Sequence, residues 1–312
     1  MAKNGKVVAN ERRKTKAASS APGEAGSDRV SVLKTYKVYI NGKFPRTESG
    51  RYYTFESPAD GSHANICLCT RKDFREAIVA ARAAQSGWAS ATAFLRGQIL
   101  YRIAEMLEGR RDQFVHELQL QGATQKESHV EVDMAIDRLI HYAGWSDKYQ
   151  QIFSSVNPVA APYFNFTIPE PTGVVAIAAP EYSSLLGLIS NIAPVIVGGN
   201  TCMVLASHSR PLSAVTFGEV LHSSDVPAGV VNILTGERSE LLEHMASHMD
   251  VNAVIYCGKD KDEIKQIETL AASNMKRVFV RKNENFLSAE AQDPYYIIDT
   301  QEFKTTWHPI GT

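Results

Sequence analysis

The 312-residue sequence predicts an α/β protein in which N-terminal helices precede an open, mostly parallel sheet. Three patterns carry this expectation. Apolar stripes at helical spacing run through residues 73–149. From Thr172 onward, short continuous apolar runs alternate with helical segments. Between them, residues 163–168 alternate two by two, as a strand does.

Taken in order, residues 1–34 hold eight Lys/Arg against three Asp/Glu and hardly any large apolar side chain, so a disordered basic tail is expected. It has no apolar core of the kind a secretory signal carries. Tyr36 to Ile40 alternate, Asn41-Gly42 is a type I′ turn signal, and Lys43-Phe44 begins a return strand. Arg51 to Phe55 and Ala64 to Cys69 read as further strands. Cys67 and Cys69 share one strand face, but no further ligands lie nearby, so a packed thiol pair is expected rather than zinc.

Three helices follow. Asp73 is placed to cap the first, which runs towards Trp88. Leu95, Ile99, Ile103 and Leu107 mark the second, which continues towards Leu120. The third runs from about Gln125 to Tyr149, with Val132, Ile136, Leu139 and Ile140 inward. Beyond Pro158 the alternation of Tyr163, Asn165 and Thr167 with Phe164, Phe166 and Ile168 predicts a ribbon over about 152–169, of the kind that docks on something. Strands are then expected at Val174–Ala178, Thr201–Leu205, Val230–Leu234 and Val254–Tyr256, with helices at Leu185–Val197, Pro211–Leu221 and Glu240–Ser247 between them.

Composition narrows the function. Lys+Arg number 33 and Asp+Glu 34, which argues against a nucleic-acid surface. Tyr182 to Ser209 contains no charged residue, but Asn191, Pro194, Gly198, Gly199 and Asn200 interrupt it. A buried helix and strand fit better than a membrane span. Four cysteines in a chain this long do not make a disulfide framework, and a cytoplasmic location is expected. His244 and His248 stand four apart on a helix, yet Met245 occupies the position where a metalloprotease carries its glutamate, so no metal site is expected there. Serine-hydrolase and common nucleotide-loop motifs do not occur.

Several segments resemble aldehyde dehydrogenases, in order and at matching spacing over about residues 35–282. His141-Tyr142-Ala143-Gly144-Trp145-Ser146-Asp147-Lys148 resembles the helix end before that family's oligomerisation ribbon. Glu170-Pro171-Thr172-Gly173-Val174-Val175 looks like the E-P-V-G-V-V strand entry. Ala193-Pro194 with Gly199-Asn200-Thr201 is similar to A-P-A-L-x-x-G-N-T. Residues 226–236, Val226-Pro227-Ala228-Gly229-Val230-Val231-Asn232-Ile233-Leu234-Thr235-Gly236, are close to L-P-P-G-V-V-N-V-V-T-G. Lys276-Arg277-Val278 resembles the strand leading to the catalytic glutamate. The resemblance implies a Rossmann-like sheet, NAD(P) as cofactor, and oligomeric assembly through the ribbon and a C-terminal strand.

The departures fall on the reactive groups. The P-W-N-F-P segment reads Pro180-Glu181-Tyr182-Ser183-Ser184, with Tyr182 in the slot of the oxyanion-holding asparagine. In the ribose-binding K-P-S-E segment Ala206 takes the lysine slot, with His208 nearby. The F-T-G-S-x-x-x-G turn keeps Gly258 but has Lys259 in the hydroxyl slot and Glu263 in the second glycine slot. Three carboxylates in that turn (Asp260, Asp262 and Glu263) make a self-filled anion site the expectation. The degenerate cofactor slots are thus Pro180, Ala206, Gly236, Gly258 and Glu263. The general-base glutamate slot holds Arg281, which cannot accept a proton, with Glu284 three residues on as a recruit.

Only 31 residues follow Arg281, and none is a cysteine, so the catalytic domain and its thiol are expected to be largely missing. Cys202 and Cys257 fall in a buried strand and the cofactor turn. Phe303-Lys304-Thr305-Thr306-Trp307 resembles the family's C-terminal Y-T-E-V-K-T-V strand, giving a short segment 283–312 with an oligomerisation strand at 301–308. The chain is similar to the truncated, cysteine-less second module of the family-sixteen aldehyde dehydrogenases. The expectation is a catalytically deficient companion of a full-length aldehyde dehydrogenase, or of itself, with no confident cofactor. The alternatives are an NAD(P)-linked aldehyde oxidoreductase completed by a partner chain, and a repurposed binder of a small metabolite or nucleotide.

Overall fold

The computed structural model describes residues 32–282 and 284–311. The expected basic tail lies almost wholly outside them. From residue 33 onward the described residues form one compact unit.

Three short strands open it: β1 (Thr35–Tyr36), β2 (Tyr52–Glu56) and β3 (His63–Cys67), ordered β1-β3-β2. Four helices follow: α1 (Arg71–Ala89), α2 (Ala93–Glu108), α3 (Arg111–Leu120) and α4 (Gln125–Ala143). After the short α5 (Tyr149–Phe153) come β4 (Ser155–Asn157) and β5 (Tyr163–Pro171). The alternating part is β6 (Val174–Ala178), α6 (Leu186–Val197), β7 (Thr201–Leu205), α7 (Leu212–His222), β8 (Val231–Leu234), α8 (Arg238–Ser247), β9 (Ala253–Cys257), α9 (Lys261–Ala272) and β10 (Arg277–Arg281). A 3₁₀ turn at Ala289–Gln292, α10 (Tyr295–Ile298) and β11 (Gln301–Pro309) complete the chain.

The large sheet is wholly parallel, ordered β10-β9-β6-β7-β8. Its strands are apolar throughout because both faces are covered. On β6, Val174, Ala176 and Ala178 pack towards Phe74, Ile78, Leu241 and Ile267, whereas Val175 and Ile177 pack towards Leu139, Leu188 and Phe217. The sheet thus sits between α1, α8 and α9 on one side and α4, α6 and α7 on the other.

The ribbon is a separate antiparallel sheet, β11-β5-β4, with Gln301 opposite Pro171 and Pro309 opposite Tyr163. Residues 152–153, read as ribbon from the sequence, belong to α5. The alternation does set its faces: Asn157, Thr167 and Thr305 hydrogen-bond on one, and Phe164 lies 5.5 Å from Phe166 on the other.

Four local expectations are corrected. Asn41 and Gly42 adopt the positive φ of a tight turn (51° and 69°), but the flanking residues form only single bridges. Tyr39 instead exchanges hydrogen bonds of 3.0 and 2.7 Å with Ile233 of β8, because burying Val38, Tyr39 and Ile40 against the large sheet outweighs a local ladder. Thr70, not Asp73, caps α1. Asp73 closes the capping box from the third helical position, accepting from Thr70 N at 2.8 Å. The second helix stops at Gly109, leaving α3 separate, and the third stops at Gly144, short of Tyr149. Glycine is a poor helix interior and takes both ends.

Candidate functional site

In a sheet of this order the ligand crevice lies beyond the carboxyl ends of the strands where the winding reverses, here between β6 and β9. All seven residues singled out in the sequence reach that edge. Pro180 and Tyr182 follow β6, Ala206 follows β7, Gly236 follows β8, Gly258 and Glu263 follow β9, and Arg281 ends β10. Pro180, Ala206 and Gly236 are buried. Gly258 is required by packing, since a Cβ there would lie 2.5 Å from the Tyr256 hydroxyl.

A residue that the sequence reading did not single out occupies the reversal point. Arg238, the first residue of α8, donates from Nη2 to the carbonyls of Ala179 and Cys257, bridging the ends of β6 and β9. Its Nε lies 3.4 Å from Glu181 and its Nη1 3.8 Å from Glu263. The guanidinium carbon stands 5.4 Å from the ring centre of Tyr256, whose hydroxyl donates to Glu263.

Glu181 turns into the loop after β7. Its carboxylate accepts from Ser207 Oγ at 2.8 Å, Ser209 Oγ at 3.0 Å and Ser209 N at 3.2 Å. Burial pushes this acid up, but the Ser207 and Ser209 hydrogen bonds and the Arg238 charge outweigh it and hold the group below the usual carboxylate range. His208 stacks on Tyr53 at 4.4 Å and reaches Glu237 at 3.3 Å.

The N-termini of α6, α7, α8 and α9 all point to the same edge, and those of α9 and α6 are capped by carboxylates of this chain. Asp260 accepts from Asp262 N and Glu263 N at 2.9 and 3.0 Å, closing α9. Glu131 of α4 accepts from Leu185 N and Leu186 N at 3.0 and 3.1 Å, closing α6. The donors of the β7 loop, α9 and α6 thus all hold carboxylates of this chain.

The slots for reactive groups are likewise engaged. Tyr182 donates to the carbonyl of Glu284 at 3.0 Å. Arg281 lies 2.7 Å from Asp299 and 3.9 Å from Glu284, and its guanidinium carbon is 3.7 Å from the ring centre of Tyr296. Burial raises the acids of Glu284 and Asp299. The Tyr296 hydroxyl donates to Glu284, so that carboxylate is already hydrogen-bonded. All four cysteines are buried. Burial pushes the Cys257 thiol up to about 12 and raises Cys202 and Cys69 as well, so none of these three is a thiolate at neutral pH. No group of three or more metal-ligating side chains occurs among the described residues.

Nineteen residues, 282–300, separate β10 from β11. Residues 284–300 fold back onto α4 and α6, burying Phe286, Ala291 and Ile297. Arg138, fully buried on α4, donates to the carbonyls of Phe286 (2.8 Å) and Ala291 and to Ser190 Oγ (2.6 Å). Asn200 accepts from Gly173 N at 2.8 Å and donates to the Thr300 carbonyl at 2.9 Å.

The Aldehyde dehydrogenase family model matches residues 45–283. The chain belongs to the aldehyde dehydrogenase family. It is 31% identical over 274 residues to mouse retinal dehydrogenase 2, covering 85% of this chain and 52% of that protein. It is 29% identical over 262 residues to mouse cytosolic 10-formyltetrahydrofolate dehydrogenase, covering 82% and 29%. The solved NAD+ complex of an aldehyde dehydrogenase from Bacillus cereus superposes with a TM-score of 0.76 at 25% identity, covering 80% of this chain and 51% of that one. PnpE from Pseudomonas sp. WBC-3 does so with a TM-score of 0.75 at 27% identity, covering 80% and 50%. This aldehyde dehydrogenase-family chain spans about half the length of the retinal dehydrogenases it matches and less than a third of the formyltetrahydrofolate dehydrogenase. No helix among the described residues is long and apolar enough to cross a membrane.

Proposed function

We propose that this chain is a catalytically deficient companion subunit that assembles, through its ribbon and β11, with a full-length NAD(P)-dependent aldehyde dehydrogenase or with its own copies. The observation that carries the reading is the closed carboxyl edge. Glu181, Asp260 and Glu131 hold the donors that a dinucleotide's ribose and phosphates would need, and Arg238 spans the crevice between β6 and β9. The residues present therefore do not fit the cofactor that the family implies.

Two further features support the reading. Arg281, an obligate cation, stands in the general-base slot and is paired with Asp299. The connection from β10 to β11 is far shorter than a domain and is packed down by Arg138. Oxidation of an aldehyde through a thiohemiacetal needs a thiolate, and Cys69, Cys202 and Cys257 all titrate well above neutrality.

The test uses the purified chain alone and with an active aldehyde dehydrogenase from the same source. Alone, it is expected to leave aldehydes unchanged with NAD or NADP and to leave NADH fluorescence unaltered. Mixed, it is expected to co-elute with the active enzyme, or else to elute as a homo-oligomer. Aldehyde turnover by the isolated chain overturns the reading, and so does a monomer that never co-elutes.

A further inference from the structure

A second feature lies at the other end of α8. Arg238 begins that helix at the carboxyl edge of the sheet, and His248 caps its far end, about 15 Å away along the axis. There the ends of α1 and α8 enclose a pocket of about 290 Å³ lined by Arg71, Phe74, Arg75, His244, Ser247 and His248.

Four basic side chains converge on this pocket, and the usual reasons for such a cluster are missing. Arg71 and Arg75 stand one turn apart in the opening of α1, where the helix dipole favours anions and disfavours cations. Their neighbour Lys72 is neutralised by Glu48 at 2.7 Å. Asp73, the acid of that turn, is consumed by Thr70 N and Glu48 N, both at 2.8 Å. Among the described residues neither Arg71 nor Arg75 has an ion-pair partner, while the nearby Arg51 and Arg82 do.

Behind the pocket lies more positive charge. Lys276 is buried, its ammonium donates to the His248 carbonyl at 2.6 Å, and burial brings it down to about 8. Burial lowers His248 too. Lys276, Arg75 and His244 add to that effect, and Asp250 opposes it. Asp250 itself lies 3.7 Å from Arg82. His248 Nδ1 accepts from Asp250 N at 3.2 Å, so the neutral ring carries its proton on Nε2 as a donor. Phe74 is buried, with its ring 5.7 Å from His248 and 6.3 Å from His244.

We propose that this pocket binds a phosphate-class dianion, with the Arg71 and Arg75 guanidiniums as paired forks and Ser247 Oγ and His248 Nε2 as further donors. Paired guanidiniums match phosphate geometry, and charge-assisted hydrogen bonds are the strong ones. The pocket has room for the phosphoryl group of a small phosphomonoester as well as for free phosphate. The inference does not rest on the companion-subunit reading, because the pocket lies away from the carboxyl edge.

Calorimetric titration of the full chain with inorganic phosphate, at neutral pH and low salt, tests it. One saturable site of roughly millimolar affinity or tighter is expected, weakened by sodium chloride. Arg71→Gln with Arg75→Gln is expected to weaken binding about tenfold or more without lowering the melting temperature, whereas Lys37→Gln on another surface leaves it unchanged. A second arm replaces phosphate with glycerol phosphate. Tighter binding there assigns a phosphomonoester, and equal binding assigns the phosphoryl group alone. No saturable binding of either probe overturns the proposal, as does a double variant that binds like the parent.

Discussion

The carboxyl edge of the large sheet and the ribbon meet their polar groups in opposite ways. At the edge, Glu181, Glu131 and Asp260 satisfy donors that in a binding crevice would face a ligand, and Arg238 joins two strand ends. In the ribbon, β11 is a nine-residue outer strand with eight exposed positions, among them Phe303 and Trp307. An edge strand of this length leaves backbone donors and acceptors open to another chain. One region spends its hydrogen-bonding capacity internally, and the other keeps it available. The contrast teaches where a partner's contacts are to be sought.

Substitutions sharpen or break this contrast, and the largest effect belongs to Arg138. Arg138→Ala removes the donor for two buried carbonyls and Ser190, and is expected to cost about 3 kcal/mol, read as a melting temperature lower by roughly 6–10 °C. A loss below about 1 kcal/mol would mean that residues 284–300 do not depend on that anchor. Glu117 sets the next effect and belongs to neither region. Burial pushes it up to about 7, against a hydrogen bond from Thr216 at 2.7 Å. Its folded value lies above the unfolded one, so its contribution is complete at acid pH and lost as pH rises through about 7. Between pH 5 and 8 the parent is expected to lose about 2–3 kcal/mol that Glu117→Gln does not, measured by denaturant titration. An equal slope in both proteins would remove Glu117 as the cause.

Arg238→Ala comes third, at about 2 kcal/mol, since it leaves Glu181 and Glu263 without their cation and the carbonyls of Ala179 and Cys257 without a donor. Thermal melting beside Lys259→Ala, a surface control, reads it out. Trp307→Lys is expected to change stability least, within about 0.5 kcal/mol, while abolishing assembly in mass photometry. A large stability loss from that exposed site, with assembly intact, would reverse the contrast.

What the sequence made legible follows burial. β6, β7 and β9 were readable because strands covered on both faces carry unbroken apolar runs, and β5 was readable because its two faces differ. The turn at Asn41-Gly42 was readable, but the bond from Tyr39 to Ile233 spans nearly two hundred residues and leaves no local trace. The slots at Tyr182, Arg281 and Gly258 came from resemblance. Arg238 and Glu131, which close the edge, look in sequence like solvated helix residues. Arg138 carried a usable clue: it falls three residues after buried Ala135 and four before buried Tyr142, on the inward face of α4.

Asn200 has a consequence for mechanics. One amide grips Gly173, where β5 becomes β6, and Thr300, where the chain enters β11. Both long strands of the ribbon are thereby bolted to the sheet at their roots, so the ribbon behaves as a stiff lever and not as a tether. Force or rotation applied at its tip would be transmitted to the body of the molecule, and a bound neighbour would be held at a set angle to it.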